Sequence, residues 1–260
     1  MSRVIAEPAS VGGHAVVSRE RWLKERKVLL AREKELTQLR DQVARERRAL
    51  PRVRVEKEYV FDTHQGPRKL ADLFAGRSQL MVQHFMLGPG WEEGCPSCSF
   101  MADHTDGMLV HLQDRDVTFI AVSRATLAEI ERFRARMGWL FDWVSSEGSD
   151  FNHDFGVSFT QDDAARGEVT YNFADRPFEC EELPGISVFL REGGEVLHTY
   201  STYARGVEVM MGTYQLLDLA PRGRGERDVR DKMEWVRHHD RYEARPGVNA
   251  APAACCPAHD

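Results

Sequence analysis

The residues of this chain whose types and spacing could do chemistry are Cys95 and Cys98. They stand in Gly94-Cys95-Pro96-Ser97-Cys98-Ser99 and are two of only five cysteines. Such a pair can carry electrons by opening and closing a disulfide, or it can offer two thiolates to a metal. The first chemistry needs one thiol whose pKa is lowered from about 8.5 toward neutrality, because the thiolate is the nucleophile. A helix starting at the motif would do this through its unpaired amides and its macrodipole. Pro96 fits the first helical position, where a missing N–H costs nothing and φ is already helical. Cys95 is then the attacking thiol, and Cys98, one turn deeper on the same side, is the resolving thiol. Glu92 and Glu93 cut against this, since a carboxylate aimed at a thiol raises its pKa.

A zinc site would need further ligands, usually as a second spaced pair. No second CxxC and no His-x₃₋₅-His is present; Cys180 is isolated, and Cys255-Cys256 and His238-His239 are adjacent pairs, a poor chelating spacing. The redox reading is preferred, with no metal and no cofactor expected. Cys255 and Cys256 offer a route for passing electrons to the CxxC pair, set against the plainer reading of an unstructured end.

Composition narrows the setting. The chain has 260 residues, 42% hydrophobic, enough for a real core. Its formal charge of −6 gives no basic field for nucleic acid. The opening residues lack the apolar run of an export signal, and no later stretch approaches the roughly 18 apolar residues of a membrane span. The expected location is the cytoplasm, where a CxxC is more often catalytic or metal-binding than a permanent staple.

The elements around the motif follow an α/β rhythm. Residues 1–17 read as a flexible arm and 18–50 as a helical extension capped by Ser18. In it Trp22, Leu29, Leu36, Val43 and Leu50 recur one heptad apart. Charges at the other seam positions make this stripe thin for a two-stranded coiled coil, so the helix is expected to lie along its own domain or a partner. The run from Gln79 to Leu87 is apolar like a strand buried on both faces, and Asp116–Ser123 is a second. Between them one helix is expected from the motif through Gln113, and another spans Arg124–Met137. This βαβα succession demands a parallel sheet with right-handed crossovers. Trp139, Phe141 and Trp143 read as core. Residues 161–182 are an insertion without clear pattern; Ile186–Leu190 and Val196–Tyr200 form a hairpin, and a last helix runs from Gly206 to Leu219. The segment 244–260 is expected to be disordered.

This order, with Pro184 leading into the hairpin, resembles the thioredoxin fold: a central mixed sheet flanked by helices, here with a long N-terminal helix and an insertion before the hairpin. More closely, WLKERKVLLAREKELTQLRDQVARERRALPRVRVEKEYVFDT, MVQHFMLGPGWEEGCPSCSFMADH, LPGISVFLREGGEVLHTYSTYARG, LDLAPRGRGE and EWVRHHDRY resemble the bacterial "domain of unknown function 899" family, whose members are described as dithiol-disulfide oxidoreductases. The likeness covers residues 18–243, with 51–243 as the thioredoxin-like domain. It implies a thiol or disulfide substrate, either protein or small thiol, and a substrate surface of Pro184, Leu183, Pro96 and Trp91. In that fold the proline before the hairpin is cis and faces the dithiol. Trp91 departs from the pattern by standing four residues before Cys95, and the Pro-x-x-x-Thr-x-x-Cys context of a peroxiredoxin is missing. A redox sensor, or a binding module that forms a homodimer through the N-terminal helix, is the alternative.

Overall fold

The computed structural model describes residues 10–11, 13–226 and 232–243, so the expected tail at 244–260, with Cys255 and Cys256, lies outside the described residues. Two compact units divide the chain, Met1–Pro51 and Arg52–Asp260. In the first, α1 (Arg19–Arg48) starts where the Ser18 hydroxyl accepts from the Arg21 amide, and Pro51 follows its end. None of its residues is buried, and Trp22, Leu29, Leu36 and Val43 all stand exposed.

The second unit is built on a six-stranded mixed sheet. The strands of that sheet and the main helices around it, in chain order, are β1 (Val53–Arg54), β2 (Gln79–His84), α2 (Pro96–Ala102), α3 (Asp106–Asp114), β3 (Val117–Ser123), α4 (Leu127–Met137), β4 (Asp142–Ser145), β5 (Gly185–Glu192), β6 (Glu195–Tyr203) and α5 (Gly212–Leu217). The spatial order is β1-β6-β5-β2-β3-β4. Strands β2, β3 and β4 are parallel, while β5 runs antiparallel to β2 and forms a hairpin with β6. This is the thioredoxin-like arrangement.

Alternation along the strands sorts the core into two layers. From β2, Leu80 and Val82 join Phe61, Phe74, Ile120 and Phe151 on one side. Met81 and Phe85 face the other, with Met101, Phe133, Trp139 and Trp143. That second layer carries the cysteines, and Trp139, Phe141 and Trp143 are buried in it as expected.

Two local expectations are corrected. The helix after the motif is not continuous but breaks at Asp103–Thr105 into α2 and α3. The cause is His104, whose Nδ1–H donates to the Phe100 carbonyl (2.8 Å), the acceptor a continuing helix would give to the His104 amide. With Nδ1 as donor, His104 Nε2 accepts from the Thr213 hydroxyl and amide (2.8 and 3.1 Å). The last helix is likewise split, into a 3₁₀ run Ala204–Met210 and the short α5, where the His104 ring packs on Gly212. The insertion is ordered: it holds a short helix, Gln161–Arg166, and a hairpin of Glu168–Tyr171 with Ala174–Pro177.

Candidate active site

Strand β2 ends at His84, and a loop with Gly88, Gly90 and Gly94 brings the chain to Cys95 at the start of α2. Cys95 is the N-cap residue, with φ −57° and ψ 130°, and Pro96 occupies the first turn as the sequence predicts. The first helical bond runs from the Ser99 amide to the Cys95 carbonyl (2.9 Å), and the Ser99 hydroxyl accompanies it (3.0 Å). Cys95 is half-buried; Cys98 is fully buried in the core layer between sheet and helices.

The two thiols have opposite electrostatics. The Cys98 thiol holds the Cys95 sulfur as an anion, the amides of Cys98 and Ser97 and the Ser97 hydroxyl add to it, and burial opposes; the result is a Cys95 pKa of about 6. Cys98 is pushed well above the ordinary thiol range by its bond to Cys95, by burial and by the charge on Cys95. At neutral pH the half-buried member is the thiolate and the fully buried member the thiol.

Glu93 does not spoil this. Its carboxylate is bound by Arg136 (2.8 Å) and by Arg241. Desolvation would raise the Glu93 carboxyl, but the two guanidiniums outweigh it and hold it below the usual range.

The residues expected to form the substrate surface are placed as follows. Pro96 is exposed beside Cys95. Trp91 is half-buried against the core layer, its indole resting on Gly88, where a Cβ would stand 2.9 Å from Nε1. Pro184 directly precedes β5, whose Gly185 pairs with His84 at the end of β2, so the proline is at the sheet edge from which the CxxC loop departs. Its peptide bond is trans, because no cis peptide occurs among the described residues; the cis bond implied by the thioredoxin resemblance is corrected. The chain here is held extended: Leu183 N–H donates to Val157 O (2.8 Å), and Tyr171 OH donates to Pro184 O (2.7 Å). Leu183 itself packs into a side cluster with Val157, Phe159 and Tyr171.

Several residues near the dithiol carry no signal in the sequence. The fully buried Gln83 donates its amide to the Cys98 carbonyl (3.4 Å). Glu182, buried and bonded to Arg124 and Ser158 (both 2.6 Å), is raised chiefly by desolvation, and its charge in turn raises Cys98. His238, from the far end of the chain, reaches the Gly94 carbonyl. The Glu-Leu-Pro order before the hairpin and the paired histidines were the available clues. Neither has a spacing that points to Cys95.

Among the described residues no cluster of three or more His, Cys, Asp or Glu is arranged to hold a metal ion, and no helix is long and apolar enough to cross a membrane. A cavity of about 370 Å³ walled by Tyr59, Phe155, Phe173, His198 and Tyr203 includes neither cysteine in its lining.

Comparison with known proteins gives distant structural likeness and a firm family. A peroxiredoxin Q mutant from Xanthomonas campestris aligns at 12% identity over 60% of this chain and 90% of its own, with a TM-score of 0.41. The peroxidoxin BcpB of Mycobacterium tuberculosis aligns at 12% identity over 64% and 95%, with a TM-score of 0.41. A protein from Chlorobium tepidum described as a thiol:disulfide interchange protein DsbE aligns at 14% identity over 64% and 97%, with a TM-score of 0.38. Likeness this remote assigns no shared activity. No curated protein matches the sequence. The family model for "Bacterial protein of unknown function (DUF899)" matches residues 11–242, which take in α1, the sheet, the CxxC and the segment carrying His238, and the chain therefore belongs to that family.

Proposed function

We propose that this protein is a dithiol-disulfide oxidoreductase. The observation that carries the reading is the split pair: a half-buried Cys95 with a pKa of about 6, paired with a buried Cys98 pushed the other way. The Cys95 thiolate attacks one sulfur of a substrate disulfide, forming a Cys95–substrate mixed disulfide and releasing the other sulfur as a thiolate. Cys98 then gives up its proton and attacks the Cys95 sulfur. That closes the Cys95–Cys98 disulfide and releases the reduced substrate. An external thiol must restore the dithiol, or, in the opposite direction, an external disulfide must oxidise it.

Pro96, Trp91, Leu183 and Pro184 are proposed as the surface along which a protein or small-thiol substrate lies, in the cytoplasm. The exposed Pro96 and the position of Pro184 at the same sheet edge support this; the burial of Leu183 in its own cluster makes it the weakest of the four. The test is dithiothreitol-dependent reduction of a model disulfide. Turnover lost in Cys95→Ser is expected, and turnover equal to wild type overturns the reading.

A second reading, a redox-sensing module that assembles through the N-terminal helix, is favoured by one observation. The heptad-spaced Trp22, Leu29, Leu36 and Val43 are all exposed on α1. Light scattering on oxidised and reduced protein distinguishes the two: a mass that follows redox state, without turnover, supports the sensor.

A further inference from the structure

The segment after residue 232 contacts the surroundings of the dithiol at several residues. Trp235 packs edge-on against Phe100 of α2 (5.6 Å), and Val236 is buried in the core layer. His238 bonds the Gly94 carbonyl, His239 bonds Asp103 at the end of α2 (2.6 Å), Asp240 binds Arg136 of α4 (2.8 Å), and Arg241 binds Glu93. The strap thus crosses α2 from its last residue to the residue just before its cap.

Its central contact is the His238 bond to Gly94 (2.8 Å). A carbonyl oxygen can only accept, so His238 Nε2 carries the proton. The ring is 3% exposed and stands edge-on to Phe133 at 5.4 Å. Its other nitrogen, Nδ1, faces Arg136 Nη2 at 3.5 Å and Glu93 Oε2 at 3.6 Å. The Gly94 carbonyl and the Cys95 amide belong to one planar peptide unit. The amide end is also bonded, donating to Met86 O at 3.0 Å. Gly94 lies flush on two rings: a Cβ there would stand 2.5 Å from Phe85 Cε1 and 2.7 Å from Phe133 Cε1. The peptide unit before the nucleophile is therefore held at its oxygen and at its nitrogen, and its Gly94 Cα is packed against two rings.

We infer that His238 is a positioning residue for Cys95: by donating Nε2–H to the Gly94 carbonyl it locks the peptide plane that precedes the nucleophile and so aims the Cys95 sulfur at the amides of Ser97 and Cys98. This rests on the dithiol reading above. Without the donor, the buried carbonyl must turn toward another partner, and the plane turns with it. The Cys95 side chain then leaves the direction in which the helix amides meet its sulfur. The chain uses residues 144 positions apart to set one peptide plane.

The test compares His238→Phe, which keeps an aromatic ring against Phe133 but has no donor, with His238→Gln, whose amide can still donate to Gly94 O. Reduced full-length protein is alkylated with iodoacetamide from about pH 5 to about pH 9, and the Cys95 adduct is followed by peptide mass spectrometry. In His238→Phe the alkylation midpoint should move up, and the rate at about pH 5, below the wild-type midpoint, should fall about threefold to tenfold, the span of one lost hydrogen bond. His238→Gln should return within about twofold of wild type, which a ring needed only for packing would not allow. A His238→Phe profile coinciding with wild type overturns the inference, as does a folded His238→Gln that behaves like His238→Phe. Should His238→Phe fail to fold, nitrogen NMR of wild-type His238 decides: an Nε2–H tautomer supports the inference, and an Nδ1–H tautomer overturns it. These readouts need no turnover. A shifted alkylation profile in a protein that reduces no disulfide would sink the oxidoreductase reading and leave the positioning role standing.

Discussion

Two helices start at the same edge of the sheet, each after a parallel strand, and their first turns are built differently. Helix α4 opens with a full capping box: the Thr126 hydroxyl accepts from the Glu129 amide (3.2 Å), and the Glu129 carboxylate accepts from the Thr126 amide (2.9 Å). Helix α2 has no oxygen cap. Its N-cap is Cys95, Pro96 removes one amide from consideration, and the amides of Ser97 and Cys98 act on the Cys95 sulfur. In α4 the free amides of the first turn are consumed for stability. In α2 the same kind of group is left to favour a negative sulfur. A side-chain cap is also missing from α3 and α5, so what sets α2 apart is not the missing cap but the cysteine that stands at its N-cap position.

The comparison can be broken by exchanging what each terminus does. The largest effect is expected at the sulfur: Cys95→Ser should reduce dithiol-dependent turnover to background, while Cys98→Ser should accumulate a Cys95 mixed disulfide, visible as an added mass on denaturing non-reducing analysis. Thr126→Ala should leave turnover within about twofold, and if it abolishes turnover in folded protein, the two termini are not functionally distinct. Next in size is the pH response of labelling. Cys95 should react with iodoacetamide with a midpoint near pH 6, with Cys98 unlabelled until well above the ordinary thiol range; equal labelling at neutral pH would remove the argument from the uncapped helix.

A finer consequence concerns the redox potential and stability of the reduced form. Below the Cys95 pKa, two electrons travel with two protons and the potential should fall by about 59 mV per pH unit; above it only Cys98 takes up a proton, and the slope should halve to about 30 mV. A slope that does not change between about pH 5 and pH 8 would contradict the split pair. The sign for stability follows from the same shifts. The Cys95 pKa is lower folded than unfolded, so its contribution is fully present above the unfolded thiol value and is lost as pH falls through about 6. Cys98 is raised, so it takes stability away once pH exceeds the unfolded thiol value. Stability of the reduced form should therefore rise from about pH 6 toward about 8.5 and decline beyond it, followed by denaturant melts with Cys95→Ser as the reference. The smallest effect belongs to the ordinary cap: Thr126→Ala should cost about 1 kcal/mol in those melts, and a cost near zero would show that the capping box contributes nothing measurable.

Much of this was readable along the chain because it is local. The CxxC with Pro96, the two apolar runs that became β2 and β3, and the helical spacing of Ile130, Phe133 and Met137 are short-range patterns, and each appears in the structure where the pattern put it. What failed was also local in appearance but decided at a distance. The helix through Gln113 looked continuous, yet a histidine that answers to Thr213 takes the Phe100 carbonyl and breaks it. The trans bond at Pro184 accompanies an extended chain tied to Val157 and Tyr171, neither of which the sequence sets beside it.

The sequence by itself determined the helix start at the CxxC pair, because a proline at the first helical position and the cysteine spacing are local signals. It also determined the sheet's parallel core through the period of its apolar residues. Tertiary structure alone decided how Cys95 is held: Glu93 is neutralised by Arg136 and Arg241, and the peptide before Cys95 is bonded by Met86 on one side and His238 on the other. Hydrogen bonds and charge pairs act over a few ångströms of space and take no account of the separation along the chain, so a contact between residues 94 and 238 leaves no period or spacing to read.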